Sequence, residues 1–573
     1  MTRLLDPARQ RPAGSDLELL LGDPWDVDNP LGHAALVAAD ERGELSGPGE
    51  RALHDHGLNA EFVPAALGGR FTGADRLMRR LRAVFRRDSA LAIGYGLTSL
   101  IASVPVWTAG RPEQRDRLAG LLLAGGRAAA CYTELPHGTD FGRAEFAARA
   151  EAGRLVLNGR KDLVNNVGRA DMLLLFARTD ARPGSRSHSH LLLDRSDLPP
   201  DRVSFGPRYP TSGVPGCQLG GVAFVDCPVT PDALLGEAGT GIETVLRGFQ
   251  VTRSVLPGMV VGSLDTMLRT VTRFALDRRL YGGSVADLPQ TQAVLGGAFA
   301  DLLVADCLAT VAARALHVLP EQAPVLAPAV KYLVPKLLQD AAYQLSVVLG
   351  ARGYLREGDY AIFQKHLRDL PVVTLAHASS AVCLSSIIPS LPVLARQGWG
   401  VPGEVPDRLY RLDAALPPLD FAGLGLAARR DDVCAELLTA HRELAGAAEL
   451  HRLTGVFVAE LGRLRERALA LPPRERTVTA GRPSFTLAAR YTVVLGAAAC
   501  VGVWRHAPAG SFLAEPTWLV TALARLADRL GADGGHRWST GADAERYRRL
   551  CAELRDRVAD ARSLDLACRR LAG

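Results

Sequence analysis

The chain has 573 residues, too many for one hydrophobic core, so we expect several domains. Its 67 basic and 61 acidic residues leave a net charge of +6, spread along the chain, which argues against nucleic-acid binding. Hydrophobic residues make up 48% and aromatic residues 6%, which favours helices with aliphatic faces. The nine cysteines show no CxxC pair and no zinc-ligand spacing. We therefore expect reduced core cysteines, no metal site and a cytoplasmic protein.

Residues 1–129 predict a helical domain, because apolar residues recur at spacings of three and four between Gly and Pro breaks. The first residues, MTRLLDPARQRPAGSD, lack the apolar segment of a secretory signal. The uncharged apolar run from Tyr491 to Trp504 is shorter than the roughly 20 residues of a membrane-spanning helix. We expect no transmembrane segment.

Residues 130–238 change to a period of two. The runs RLVLNG, MLLLFART, HLLLD and GGVAFVDCPV, separated by Gly, Pro, Asp and Ser, predict a small antiparallel β-barrel or sandwich. The segment ARPGSRSHSH, Ala181 to His190, predicts an exposed loop. Its histidines have no acid or cysteine placed nearby, which argues against a metal site there.

Helical periodicity returns over residues 239–400 and again over 419–573. The Pro-rich residues 401–418 between them predict a linker. The last segment ends in an amphipathic stretch with a basic face, which predicts a helical layer packed on the protein itself more than a membrane-surface helix. We therefore expect an additional helical domain after the linker.

Two segments carry the most specific pattern in the chain: ACYTELPHGTD, from Ala130 to Asp140, and LNGRKDLVNNVGRADMLLLFARTD, from Leu157 to Asp180. In this order they resemble the middle domain of acyl-CoA dehydrogenases and oxidases, in which the turn TEPGAGSD and the strands LNGxKxWITN face FAD. The resemblance implies a mostly α protein with a helical N-terminal domain, a β-barrel-like middle domain and a four-helix C-terminal domain.

The same resemblance implies which residues contact FAD. In this sequence the tryptophan of the family's WIT string is Leu163, its Thr is Asn165, and the second Gly of a GGxGY turn is Ala351. Arg278 matches an arginine that reaches the FAD of a neighbouring subunit, so the resemblance also implies a homodimer or homotetramer. The implied FAD contacts are Cys131, Tyr132, Thr133, Gly138, Thr139, Leu163, Val164, Asn165, Arg278, Gly350, Ala351 and Ser379.

For the substrate, the resemblance implies an acyl thioester carried by CoA or by an acyl carrier protein. Arg253 falls where the family places an arginine on the pantetheine or nucleotide part, and Gln250 replaces an aspartate of the same region. Thr139 replaces a serine whose hydroxyl lies near the reactive edge of the flavin. These are the implied substrate contacts. Either an electron-transfer flavoprotein or O2 would accept the electrons.

The catalytic base of the family is absent. Most members carry a glutamate nine residues after the arginine of an RD pair, and counting from Arg368 reaches His377. A minority carry it just before the arginine of the first C-terminal helix, which is Thr252 here. Removal of the acidic α-proton of a thioester requires a base against that carbon.

Three hypotheses follow. His377 is the base of a dehydrogenase that introduces a Cα–Cβ double bond, since an imidazole with a pKa of about 6.5 is a competent proton acceptor. Alternatively, the flavin serves an oxygenase or oxidase of this fold that acts on a tailored metabolite. In the third hypothesis, the chain is a degenerate acyl-thioester-binding or scaffolding protein.

Overall fold

The computed structural model describes residues 17–138, 140–400, 405–531 and 541–572. The protein is mostly helical, with 60% helix, around an eight-stranded sheet. A π-helical turn, Ile93–Leu97, joins two of the helices that precede the sheet. Those helices are α1 (Leu17–Leu21), α2 (His33–Glu41), α3 (Gly47–Asp55), α4 (Ala74–Arg87), α5 (Ser89–Ala92), α6 (Thr98–Ala109) and α7 (Pro112–Leu123).

The strands of the sheet are β1 (Ala128–Cys131), β2 (Ala147–Glu151), β3 (Arg154–Asn165), β4 (Met172–Arg178), β5 (His188–Asp194), β6 (Val203–Phe205), β7 (Leu219–Val229) and β8 (Leu234–Leu235). Their order is β6-β7-β3-β2-β4-β5-β8, with β1 also beside β4. Both β1 and β2 pair with β4 in parallel, and the other pairs are antiparallel. The antiparallel prediction missed these two pairs, because β4 lies beside β1 and β2 and not beside β3, the strand that directly precedes it in the chain.

One sequence prediction fails at β5. The segment from Ala181 to His190 was expected to be an exposed loop, but its last three residues belong to the strand and both histidines are buried. The alternating Ser and His residues are the period-two pattern of a strand. His188 stacks on Phe176, with 4.8 Å between ring centroids, and its Nε2 lies 3.1 Å from the carbonyl oxygen of Ala144.

The sheet has two buried faces. Leu173 and Leu175 of β4 pack in a core formed by the sheet alone, whereas Leu174 and Phe176 pack with the helices. Burial on both faces explains why β4 is an uninterrupted apolar run and not an alternating one. The face that carries Phe176 is the one turned toward the helices.

The next segment contains a 37-residue helix that packs against α4 and against the two helices that follow it. Its elements are α8 (Gly241–Asp277), the hairpin β9 (Arg279–Leu280) and β10 (Gly283–Ser284), α9 (Pro289–Val318), α10 (Ala323–Leu349), α11 (Ala361–Asp369), α12 (Val372–Leu375), α13 (Ser380–Ile387) and α14 (Leu391–Gln397).

The additional helices at the C-terminal end are α15 (Asp432–Glu443), α16 (Ala448–Leu469), α17 (Arg482–Arg505), α18 (Pro516–Arg529) and α19 (Gly541–Ala559). The last three of them pack on α9 and share its hydrophobic core. After α19 the chain returns to α4 and α8: the backbone N–H of Leu564 donates to Asp265 at 2.9 Å, and Asp565 pairs with Arg86 at 2.8 Å. These buried polar contacts anchor the C-terminal segment to the rest of the protein.

Four stretches of the described chain are long and apolar enough to cross a membrane by length and composition alone: Ser89–Ala109, Pro289–Val318, Ala361–Gln397 and Arg482–Arg505. The expectation of no transmembrane segment rested on Tyr491 to Trp504, but Ser89–Ala109 is a longer run that contains no charged residue. In this structure 94% of the apolar window of Pro289–Val318 and 50% of that of Ala361–Gln397 are buried inside the protein. Their apolar faces pack on neighbouring helices here.

Candidate active site

A cavity of about 480 Å³ lies where the N-terminal helices, the sheet and the helices after the sheet meet. Its volume is within the range of about 300–1,000 Å³ that is usual for small-molecule sites. Most of its wall is apolar. The lining residues that bear on its chemistry are Thr98, Tyr132, Thr133, Gly138, Leu163, Asn165, Phe249, Arg253, Lys331 and His377.

The turn after β1 is fixed by a buried ion pair. The Glu134 carboxylate accepts hydrogen bonds from the backbone N–H groups of Glu145 (2.8 Å) and Phe146 (3.1 Å) and from Lys161 Nζ (2.7 Å). Lys161 also donates to the carbonyl of Tyr132 at 3.2 Å. Burial raises the pKa of Glu134, but Lys161 and the backbone donors outweigh it and hold this pKa below its usual value. The pair joins the two sequence segments that form this wall.

The end of β3 presents Leu163 and Asn165 to the cavity. Leu163 has φ +54°, a left-handed conformation, at a register shift between β3 and β7. Asn165 Nδ2 donates to the carbonyl of Ile93 at 2.9 Å and to Thr98 Oγ1 at 2.7 Å, so the π-helical turn holds the amide. Its buried Oδ1 has no hydrogen-bond partner. Asn165 therefore offers a free acceptor at the cavity wall.

His377 also lines the cavity, in a left-handed conformation with φ +60° just after α12. Its Nε2 is hydrogen-bonded to Thr252 Oγ1 of α8. Its ring meets Phe249 edge to face, with centroids 4.5 Å apart. Thr252 Oγ1 also lies 3.3 Å from the carbonyl oxygen of Gly248. The two positions at which relatives of this sequence are expected to carry a carboxylate thus touch each other.

The environment keeps the imidazole neutral. Burial lowers the pKa of His377 well below its usual value, and the charges of Lys331 and Arg253 lower it further. A neutral imidazole has one N–H and one lone pair. When the Thr252 hydroxyl donates to the carbonyl of Gly248, it accepts the Nε2–H of His377. The lone pair then lies on Nδ1, for which the described residues provide no hydrogen-bond partner.

Two cations also line the cavity. Arg253 is 7% exposed and its guanidinium stacks over Phe249, 4.8 Å from the ring centroid. Its Nε has no hydrogen-bond partner. Lys331 of α10 is 2% exposed, and its Nζ donates to the carbonyl of Val373 at 2.5 Å. Burial lowers the pKa of Lys331 to about 8.

Comparison with known protein families matches residues 129–227 to the acyl-CoA dehydrogenase middle domain and residues 239–391 to the acyl-CoA dehydrogenase C-terminal domain. This part of the chain therefore contains the middle and C-terminal domains of acyl-CoA dehydrogenases. The chain is 25% identical to probable acyl-CoA dehydrogenase FadE25 of Mycobacterium tuberculosis over 46% of this chain and 66% of that protein. It is also 25% identical to the human mitochondrial short-chain specific acyl-CoA dehydrogenase over 57% of this chain and 78% of that protein. The chain thus spans slightly under two thirds of the mycobacterial relative.

Solved acyl-CoA dehydrogenase structures share the fold. An acyl-CoA dehydrogenase complexed with FAD from Bacillus anthracis has a TM-score of 0.68 at 17% identity and covers 94% of this chain and 93% of that chain. The prolyl acyl carrier protein oxidase AnaB has a TM-score of 0.58 at 19% identity, covering 64% of this chain and 94% of that chain. Because the first alignment covers nearly the whole chain, the additional C-terminal helices also have a structural counterpart.

Seven of the residues that the acyl-CoA dehydrogenase resemblance singles out line the cavity together: Tyr132, Thr133, Gly138, Leu163, Asn165, Arg253 and His377. Cys131 and Val164 do not, because alternate side chains of a strand point to opposite faces and theirs lie in the core of the sheet. Thr139 lies outside the described residues.

The remaining implied contacts lie elsewhere. Arg278, Gly350 and Ala351 are exposed and do not line the cavity of this chain. Ser379 caps α13, its Oγ accepting from the backbone N–H of Val382 at 3.4 Å. Gln250 donates through Nε2 to the carbonyl of Gly425 at 2.7 Å, so its amide is held by the segment before α15 and does not line the cavity. Within one chain, therefore, only some of the implied FAD and substrate contacts line the cavity.

The cavity fits the ring portion of FAD. The free Oδ1 of Asn165 is an acceptor suited to the ring N–H of a flavin, and Thr133 and Leu163 offer a backbone turn and an apolar surface beside it. These residues, with Tyr132 and Gly138, would hold the ring between the sheet and His377. The fit concerns the ring only, since the turn implied for the pyrophosphate, residues 350–351, is not part of this cavity.

Sequence reasoning missed Lys331 and Phe249, which complete the wall around His377. Lys331 stands alone in the apolar run APAVKYLVP, in the middle of a helix that is buried along most of its length. A single lysine in such a run is seldom fully buried without a role. That was the signal in the sequence that could have identified it.

Proposed function

We propose that this protein is an FAD-dependent oxidoreductase that introduces a Cα–Cβ double bond into an acyl thioester carried by CoA or by an acyl carrier protein. The observation that carries the proposal is the contact between Thr252 and His377, which lines the same cavity as Thr133. Both residues stand where the resemblance implies a catalytic carboxylate. This contact supports a role for His377 as the proton acceptor that the chemistry requires.

In this proposal His377 acts as the base. Thr252 holds Nε2–H, and Nδ1 takes the α-proton of the thioester while the electrons of that C–H bond form the new double bond. FAD, when bound, supplies the acceptor for the hydride that leaves the β-carbon. The edge contact with Phe249 restrains the imidazole in the plane that this transfer needs.

The two cations have opposing effects on this step. They make an imidazolium at position 377 unfavourable, which weakens His377 as a base. They also stabilise negative charge that develops on the thioester carbonyl, because Arg253 and Lys331 are buried where electrostatic interactions are strong. We propose that this stabilisation acidifies the α-carbon enough for a neutral imidazole to deprotonate it.

The assembly and the electron acceptor are also proposals. Arg278 is exposed at the end of α8, as expected of a residue that serves a second subunit in a homodimer or homotetramer. Among the relatives, the caffeyl-CoA reductase-Etf complex subunit CarC of Acetobacterium woodii pairs with an electron-transfer flavoprotein. AnaB is an oxidase. The acceptor is either an electron-transfer flavoprotein or O2.

The test is the absorbance spectrum of the purified protein, with and without FAD, followed by anaerobic addition of acyl thioesters. We expect a flavin spectrum that is bleached by a suitable thioester. In His377→Gln the flavin spectrum should remain and the bleaching should stop. His54→Gln, on the exposed face of α3, is the matched control and should bleach like the wild type.

Three results would contradict the proposal, each in a different way. Full bleaching in His377→Gln would remove His377 from the mechanism. Rapid oxygen uptake with incorporation of labelled oxygen into product, and no bleaching by thioesters, would indicate an oxygenase acting on another metabolite. A protein that stays colourless after incubation with FAD would indicate a binding or scaffolding role.

A further inference from the structure

The cavity contains more positive charge than its own residues neutralise. Arg253 and Lys331 line it, both are more than nine-tenths buried, and none of the lining residues in the described parts of the chain is Asp or Glu. Arg253 forms no ion pair with a described residue, and the one hydrogen bond of Lys331 goes to a backbone carbonyl. Isolated buried charges are strongly disfavoured unless a counter-charge reaches them.

Several other buried cations of this protein are paired with carboxylates, although Arg87, which is also buried, donates to the carbonyl of Gly22 instead. Lys365 contacts Asp88 at 2.6 Å and Asp369 at 2.7 Å, and Lys161 contacts Glu134 at 2.7 Å. The helices around the cavity are therefore able to supply carboxylates to buried cations. They do not supply one to Arg253 or Lys331.

The missing acid would have stood at residue 377 or 252. Both positions are uncharged, because Thr252 has no ionisable group and the buried imidazole of His377 is neutral. Arg253 is also close enough to Lys331 for its charge to lower the pKa of the lysine. An anionic group that entered the cavity would meet both cations and no competing acid of the lining.

We propose that the substrate is an acyl thioester whose acyl group carries a carboxylate, and that Arg253 and Lys331 bind this carboxylate. Arginine binds carboxylates through paired N–H groups, and Arg253 lines the cavity with a buried Nε that has no hydrogen-bond partner. Lysine adds a compact charge from the neighbouring helix. The apolar remainder of the wall suits the methylene groups between the carboxylate and the thioester. This inference rests on the proposed function for the identity of the thioester.

The experiment compares two thioesters of equal length, glutaryl-CoA and its terminal carboxamide. Binding to the full-length protein is measured by anaerobic isothermal titration calorimetry after its FAD has been chemically reduced, so that the thioester cannot react and the readout does not depend on turnover. We expect the wild type to bind the carboxylate at least about tenfold more tightly. The ratio of the two affinities should fall to about one in Lys331→Met and in Arg253→Met.

The matched control is Lys336→Met. Lys336 lies on the same helix as Lys331 but does not line the cavity, and its Nζ lies over the Tyr332 ring. This variant should keep the wild-type ratio. Because Lys331 also supports the carbonyl of Val373, the Arg253 variant provides a second measurement should Lys331→Met fold poorly.

The two proposals fail separately. Equal affinity for the two thioesters in the wild type would overturn the carboxylate site and assign the cations to the thioester oxygen, even if both thioesters bleach the flavin. An unchanged ratio in well-folded Arg253→Met and Lys331→Met would also overturn it. Conversely, a strong preference for the carboxylate with no bleaching by either thioester would keep the carboxylate site and contradict the dehydrogenase.

Discussion

Replacing His377 with glutamate should stabilise the protein, because it restores a carboxylate beside two buried cations. Arg253 and Lys331 are already desolvated, at 7% and 2% exposure. Two unit charges 4 Å apart attract by about 4 kcal/mol at an effective dielectric constant of 20. Burial of the new carboxylate offsets much of this attraction, and we expect a net gain of about 1–2 kcal/mol over an uncharged residue.

The comparison that isolates the charge is His377→Glu against His377→Gln. Residue 377 has φ +60°, and a left-handed conformation costs a non-glycine residue about 1–2 kcal/mol, which both variants bear equally. Thermal unfolding without thioester is the assay, and its midpoint is the observable because a chain of this size does not unfold in two states. A midpoint about 1–4 °C higher for the glutamate variant is expected.

The His377→Glu variant should also lose its preference for a carboxylate thioester, since the carboxylate of Glu would then pair with Arg253 and Lys331. Identical midpoints for the glutamate and glutamine variants, together with an unchanged preference, would refute the reasoning. That result would mean that Arg253 and Lys331 are already neutralised. Loss of preference without a stability gain would mean that the desolvation of the carboxylate equals its attraction to the cations.

The remaining predictions concern single contacts. Thr252→Val should lower kcat about tenfold and shift the pH profile of kcat, because it removes the hydrogen bond that orients the imidazole of His377. The loss of one hydrogen bond costs about 1–1.4 kcal/mol. Thr252→Ser should restore both kcat and its pH profile. His190→Leu should flatten the acid dependence of stability. Burial lowers the pKa of His190 to about 3, so the unfolded chain takes up the proton first and stability falls below about pH 6.5. Between pH 7.5 and 5 this loss amounts to about 2 kcal/mol, and it is followed as a shift of the urea-unfolding midpoint. Glu134→Gln should destabilise by about 3–5 kcal/mol and reduce the bound flavin, because Lys161 loses its carboxylate.

Each of these predictions has its own control. His54→Leu on the exposed face of α3 should keep the wild-type loss of stability between pH 7.5 and 5, and an equal loss in His190→Leu would assign the effect to other groups. Glu145 donates to Glu134 through its backbone N–H, and its side chain, 78% exposed, lies 3.5 Å from His137 Nε2. Glu145→Gln should therefore retain flavin, and equal retention in Glu134→Gln would contradict the role of the ion pair. For Thr252, a valine variant with the wild-type profile would show that the contact does not orient His377.

The flavin-facing wall could be predicted from the sequence because its determinants are local. Glu134 and Lys161 belong to the two segments on which the resemblance rests, and their ion pair fixes the turn and β3 together. The backbone conformation at Leu163 and the amide of Asn165 follow within a few residues of the same strand. Because the two motif segments contain both partners of this ion pair, the motif alone is enough to predict the local structure.

The surroundings of His377 could not be predicted in this way. Thr252 and His377 are 125 positions apart and meet only through the packing of α8 against the chain after α12. Lys331 looked like one more residue of an apolar helix. His190 looked like part of a polar loop, because the alternation of serine and histidine does not show which face of a strand is buried.

The charge count of the cavity bears on how the proposed dehydrogenase can act with histidine at the position where the resemblance implies the catalytic acid. With a glutamate at residue 377, Arg253 and Lys331 would share one carboxylate, and the net charge of the site would be +1. A substrate with a neutral acyl group would leave this net charge unchanged. With His377, a substrate carboxylate produces the same total. It would also weaken the effect of the two cations on the imidazole and raise its pKa toward the value of a useful base. Thus the group that we propose to be recognised at Arg253 and Lys331 would also activate His377, and a neutral thioester of equal length should react more slowly even after it binds.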